Sequence, residues 1–200
     1  PDGHVRNERG YPWAYWRKNV APYGYPATCS ASTYGVDLNR NSTYAWGYDD
    51  YGSSGWPCNE TYRGPAARSE SETAAIEAYV RTLYAPQPSA REGAPAASDT
   101  GGAFITLHSY GNDVLWPWGW TTQPPPNASA LAMFGRKMAT FNGYTAAQSD
   151  GPAMYPTNGT TDDWAYAEFG VAAYTFEIGA SSDGFYPACS RSSALIQPNV

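Results

Sequence analysis

Hydrophobic positions recur along this chain with two different spacings, and the way they alternate outlines a layered protein. Ala75, Ile76, Tyr79, Val80 and Leu83 return at three- and four-residue steps. That rhythm predicts a helix beginning near Ser69, where Ser69 and Glu72 have capping-box spacing. Leu131, Phe134, Met138 and Phe141 predict a second helix over about 128–142, ended by Gly143. A shorter helix is expected over Asp162–Phe169, stopped by Gly170. Between the helices, Ala103–His108 and Ala172–Ile178 are mostly apolar segments of strand length and read as interior strands. A third apolar segment, Val114–Trp120, is broken by Pro117 and Gly119. Strands separated by helices predict an α/β layered sheet. Residues 1–68 read as loop-rich, and 85–102 as a surface connection. No internal boundary, repeat or linker interrupts the pattern, and Pro124–Pro126 only shapes one loop.

Composition narrows the choices. The 200 residues hold 42% hydrophobic and 16% aromatic residues, enough for a core and against wholesale disorder. Twenty glycines and 17 prolines imply long ordered loops. A formal charge of -6 disfavours a nucleic-acid groove. No apolar run approaches the ~18 residues of a membrane span or reads as a signal peptide. Three cysteines, Cys29, Cys58 and Cys189, leave one thiol over after any pairing. Two histidines, His4 and His108, leave little room for a metal site built from this chain alone.

The candidate chemistry lies in polar residues that interrupt apolar runs. His108 closes one predicted strand and Glu177 sits inside or at the end of another, and strand ends are where sheet proteins meet their ligands. Each is equally readable as a paired interior side chain, and burial without a partner would be expensive. Arg40, between Asn39 and Asn41, can grip a carboxylate through two parallel hydrogen bonds, with Asn39 donating a third. A structural turn held by the same groups is the alternative. Arg17 is a weaker candidate by itself.

Taken in order, Pro1-Asp2-Gly3, Trp16-Arg17-Lys18-Asn19, Gly35-Val36-Asp37-Leu38-Asn39-Arg40-Asn41, Cys58 to Gly64, His108-Ser109-Tyr110, Tyr155, Asp163-Trp164-Ala165-Tyr166 and Thr175-Phe176-Glu177 resemble the zinc metallocarboxypeptidases of the pancreatic carboxypeptidase A and B and bacterial carboxypeptidase T type. The resemblance runs from residue 1 to about 188. It implies a three-layer α/β/α fold with a mixed, mostly parallel central sheet. It also implies a zinc-dependent exopeptidase acting on peptide or protein C-termini, with no nucleic-acid or membrane partner. His108 would be the third ligand of one Zn2+ ion, and Glu177 the base that takes a proton from zinc-bound water and passes it to the leaving amine. Arg17 would stabilise the oxyanion. Asn39, Arg40 and Tyr155 would hold the terminal carboxylate, and Tyr110 and Phe185 would line subsites. Leu115, Gly119, Thr157 and Asp162 would form the pocket for the last side chain. Asp162, where apolar-preferring members carry an aliphatic residue, implies a basic or mixed preference; its bland reading is an acid in a helix's first turn. Cys29 and Cys58 match a family disulfide.

Two departures stand out. The family's His-x-x-Glu ligand pair precedes the segment where Pro1 falls, and His4-Val5-Arg6-Asn7 is no substitute for it. The terminal helix expected after Pro198 is also missing. The chain therefore reads as a partial catalytic domain over 1–200, the C-terminal two-thirds, its sheet incomplete at the N-terminus and without a competent zinc site if it stands alone. Cys189 is then free or paired to a cysteine upstream. Asn41, Asn59, Asn127 and Asn158 open N-x-Ser/Thr sequons, of which Asn59 and Asn127 are the better glycosylation candidates. A secreted enzyme is expected. The rival readings are a non-catalytic binder of peptide C-termini, an inactive fragment, and a sugar platform on Trp116, Trp118 and Trp120.

Overall fold

A computed structural model of the chain describes residues 16–87, 89–151 and 154–200; the Pro1-Asp2-Gly3 block and His4 lie outside them. It divides into two compact units, one of residues 1–85 and 156–164, the other of 86–155 and 165–200.

In the first unit, Trp16 and Tyr34 meet edge to face at 5.0 Å beside Cys29, with Val20 and Cys58 packed against them. The Cys29–Cys58 disulfide is formed, with its Cα atoms 5.1 Å apart. A short 3-10 turn, Leu38–Arg40, follows Asp37, whose side chain caps it by accepting from the Asn39 amide. Asn41 is fully buried and knots the loops together. Its Nδ2 donates to the Arg63 and Ala66 carbonyls and to the Ser69 hydroxyl, and its Oδ1 accepts from the Glu70 amide.

Helix α1 spans Ser71–Leu83. The expected capping box does not form: Glu70 is the N-cap, and the Ser69 hydroxyl donates to the Glu70 carboxylate instead. The expected inward face is also rotated. Ile76, Tyr79 and Leu83 are exposed, while Thr73, Glu77 and Val80 point inward. The reason is a polar network. Glu77 Oε1 accepts from the Thr43 amide and hydroxyl, and Arg68 and Arg81 approach its other oxygen at 3.5 and 3.9 Å.

The second unit is built on a mixed sheet of β1 (Ala103–His108), β2 (Asp113–Trp116), β3 (Thr145–Gln148) and β4 (Ala172–Glu177), in the order β1-β4-β2-β3. β1 runs parallel to β4 and β2 parallel to β3, while β2 and β4 are antiparallel. The α/β expectation and the mixed, mostly parallel sheet hold. β4 is the interior strand: Ala173 and Tyr174 are almost inaccessible. β1 is not. It pairs only with β4 among the described residues, and Ile105 and Leu107 are 46% and 63% exposed. An apolar run reports strand tendency, whereas burial requires something on the other side.

Helix α2 (Ala128–Asn142) ends as expected at Gly143, which adopts φ 74° and closes the helix through its amide to the Ala139 carbonyl. Leu131 and Gly135 face the sheet, while Phe134 and Phe141 are exposed. Gly135 has no side chain for a steric reason: a Cβ there would sit 2.7 Å from the Trp116 ring. Tyr174 anchors the same contact by donating its hydroxyl to the Leu131 carbonyl, and burial pushes its phenol up to about 12. Helix α3 covers Thr161–Phe169 and α4 covers Ser192–Ile196. β3 has no counterpart in the hydrophobic pattern, because Thr-Ala-Ala-Gln is short and weakly apolar. No helix among the described residues is long and apolar enough to cross a membrane.

Candidate functional site

The first unit carries Arg17, Asn39, Arg40, Thr157 and Asp162. Asp37 organises the first three of these. Its Oδ1 accepts from the Asn39 amide, its carbonyl accepts from the Arg40 amide, and its Oδ2 lies 2.8 Å from the Arg17 guanidinium. Arg40 is 2% exposed. One of its terminal nitrogens donates to the Asn39 carbonyl, while its Nε has no partner among the described residues. A buried guanidinium with an unused donor fits an anion as ligand. Asn39 Oδ1 accepts from the Thr161 amide and hydroxyl, which ties the turn to the start of α3. That pairing leaves the Asn39 amide nitrogen to donate elsewhere.

Asp162 lies in the first turn of α3 and is 4% exposed. Thr157 is half-buried.

The second unit carries His108, Tyr110, Leu115, Gly119, Tyr155, Phe185 and Glu177. Parallel pairing places His108 directly beside Glu177 at the carboxyl ends of β1 and β4. His108 Nε2 is 3.1 Å from the Thr106 hydroxyl. On the other side of Glu177 stands Asp113, its antiparallel partner on β2. Burial raises the Asp113 carboxyl above its usual range. Sequence reasoning passed over Asp113, since nothing local distinguishes it from any acid opening a strand. Tyr110 and Phe185 stack at 4.8 Å between ring centroids, so these two expected subsite residues do meet. Leu115 and Gly119 are buried, and Tyr155 is 61% exposed.

The sequons are sorted by their surroundings. Asn41 and Asn158 are buried. Asn127 accepts from the Ala96 amide and the Tyr166 hydroxyl, and Asn59 is exposed. Cys189 is free and exposed.

The metal can be tested against these side chains. No group of three His, Cys, Asp or Glu residues able to hold an ion exists among the described residues. His108 by itself does not make a zinc site, since zinc needs at least three protein ligands.

Comparison with known proteins gives the family. The zinc carboxypeptidase family model matches residues 1–198. Carboxypeptidase B of Bos taurus is 30% identical over 185 residues, covering 88% of this chain and 38% of that protein. Mast cell carboxypeptidase A of Rattus norvegicus is 33% identical over 186 residues, covering 87% and 40%. The chain thus spans about two fifths of the length of the curated relatives it matches. The crystal structure of carboxypeptidase A from Helicoverpa armigera superposes with a TM-score of 0.70 at 28% identity, covering all of this chain and 44% of that one. Bovine thrombin-activatable fibrinolysis inhibitor, solved with tick carboxypeptidase inhibitor, shares the fold with a TM-score of 0.78 at 23% identity, covering 99% and 62%. With its sequence matched to the family model from residue 1 to 198 and its fold shared with solved carboxypeptidases, the chain belongs to the zinc carboxypeptidase family.

Proposed function

We propose that this chain supplies the substrate-binding and proton-transfer side chains of an exopeptidase that removes basic, or basic and other, residues from peptide and protein C-termini. The observation that carries the specificity is Asp162, a carboxylate 4% exposed in the first turn of α3. A carboxylate held largely away from water favours a cation as its neighbour. The Lys or Arg side chain at the end of a substrate is a cation of suitable chemistry.

In this reading Arg40, with Asn39 and Tyr155, receives the terminal carboxylate, and Arg17 faces the oxygen that gains charge as water adds to the carbonyl. Releasing Arg17 from Asp37 for that task is feasible, because its side chain is 41% exposed. Glu177 takes the proton from the attacking water and returns it to the departing amine. His108 is the residue this chain offers to zinc. The described residues do not complete that site. Tyr110 and Phe185 line the approach, while Leu115, Gly119 and Thr157 belong to the pocket that receives the last side chain. The Cys29–Cys58 bridge supports an oxidising, extracellular setting.

The test is hydrolysis by the full-length protein of matched acyl-dipeptides ending in Arg, Lys, Leu and Phe. Asp162→Leu should lower kcat/KM for the Arg and Lys substrates about a hundredfold relative to the Leu substrate. An unchanged ratio refutes the specificity. If the peptides bind without being cleaved, and Arg40→Ala abolishes that binding, the protein is a non-catalytic C-terminus binder instead.

A further inference from the structure

The chain has two lysines, and one of them, Lys18, is buried to 3% exposure. Its ammonium donates to three main-chain carbonyls, Thr33 at 2.5 Å, Pro57 at 2.9 Å and Asn59 at 2.8 Å. An ammonium has three donors, so the set is saturated. The three carbonyls bracket the disulfide loop: Thr33 follows Cys29, and Pro57 and Asn59 flank Cys58. Asp37 and Glu60 are the charged groups that face the ammonium, and both favour its protonated form. Lys18 thus occupies the centre of the loop as an internal cation.

The connection continues toward the carboxylate-binding turn. The Asn59 carbonyl accepts from both Lys18 Nζ and the Tyr62 amide, the latter at 3.1 Å. The Tyr62 carbonyl then accepts from the Asp37 amide at 2.8 Å, and Asp37 caps the turn of Asn39 and Arg40. Tyr62 is buried, so slack in the loop has no free side to escape into. On its amino side, Lys18 follows Arg17 directly.

We propose that Lys18 is a positioning residue, the cation that clamps the Cys29–Cys58 loop and, through Asn59, Tyr62 and Asp37, holds Asn39 and Arg40 in place for the substrate carboxylate. The inference rests on the exopeptidase reading for its substrate. The clamp itself is independent of catalysis.

Lys18→Met keeps the aliphatic stem and removes the charge and donors. Made in the full-length protein, it should raise KM for an acyl-dipeptide ending in Arg about tenfold, with kcat altered less than about threefold. A stability loss alone would lower the active fraction and reduce apparent kcat without this KM change. Reduction of the disulfide by a phosphine, followed by thiol labelling, should be about tenfold faster than in the parent protein. Lys137→Met, at the other lysine, should change neither. KM within twofold of the parent, or a reduction rate within twofold, overturns the proposal. If Lys18→Met does not fold, Lys18→Gln, which keeps two donors without the charge, is measured on the same criteria. A parent protein that cleaves no peptide sinks the exopeptidase reading, while the reduction rate still decides whether the clamp exists.

Discussion

Gly159 sits where the loop before α3 crosses behind the Arg40 turn, and replacing it with alanine tests how closely that turn is held. Gly159 has φ +71°, and a Cβ would lie 2.3 Å from the Arg40 carbonyl oxygen and 2.8 Å from its carbon. Two penalties add. A left-handed backbone with a side chain costs about 1–2 kcal/mol. Overpacking adds about 1–3 kcal/mol, and here the obstacle is main chain, which no rotamer change can remove. The Gly159 carbonyl also accepts from the Ser42 amide at 2.9 Å, so retreat would strain that bond. Gly159→Ala should therefore destabilise the protein by about 2–5 kcal/mol. Gly143→Ala is the matched control: its φ is +74°, but nothing lies within 4 Å of the added Cβ, so it reports the backbone penalty alone. Urea unfolding of both variants isolates the steric part as their difference. A Gly159→Ala loss no larger than that of Gly143→Ala would refute the close approach of the two segments.

Asn41→Ala removes three donated bonds and one accepted bond in a fully buried knot, and should cost about 3–5 kcal/mol by urea unfolding; a loss below 1 kcal/mol would contradict the network. Burial lowers Lys18 to about 8 from 10.5, so between those values the unfolded chain binds more protons than the folded one. The stability of the parent protein relative to Lys18→Met should then rise across that interval and stay flat below it, by no more than about 1.4 kcal/mol per pH unit; a falling or level difference rules this out. Finally, Ile105 and Leu107 leave an apolar face on β1, which among the described residues pairs on one side only, and the 200-residue chain expressed alone tests it. Sedimentation should show it self-associating, and Ile105→Lys with Leu107→Lys should reverse this; association at the same concentration in the double variant would exclude this face.

Local order could be read from residue order alone. Gly143 and Gly170 end helices because a backbone with positive φ is cheap for glycine. The strands Ala103–His108 and Ala172–Glu177 follow from mostly apolar segments, and the family is legible because many short blocks recur in a set order. Which faces are buried was decided only by the tertiary structure, because burial depends on what arrives from elsewhere in the chain. The α1 periodicity pointed to Ile76 and Tyr79, but Thr43, Arg68 and Arg81 drew Glu77 inward instead. β1 has a core-like sequence, yet among the described residues it pairs only with β4. His108 and Glu177, 69 residues apart, become neighbours only through strand register, which also brings in Asp113. Lys18 shows the same division most sharply. By sequence it is one more cation beside Arg17; in the folded chain three carbonyls from distant loops convert it into an interior clamp.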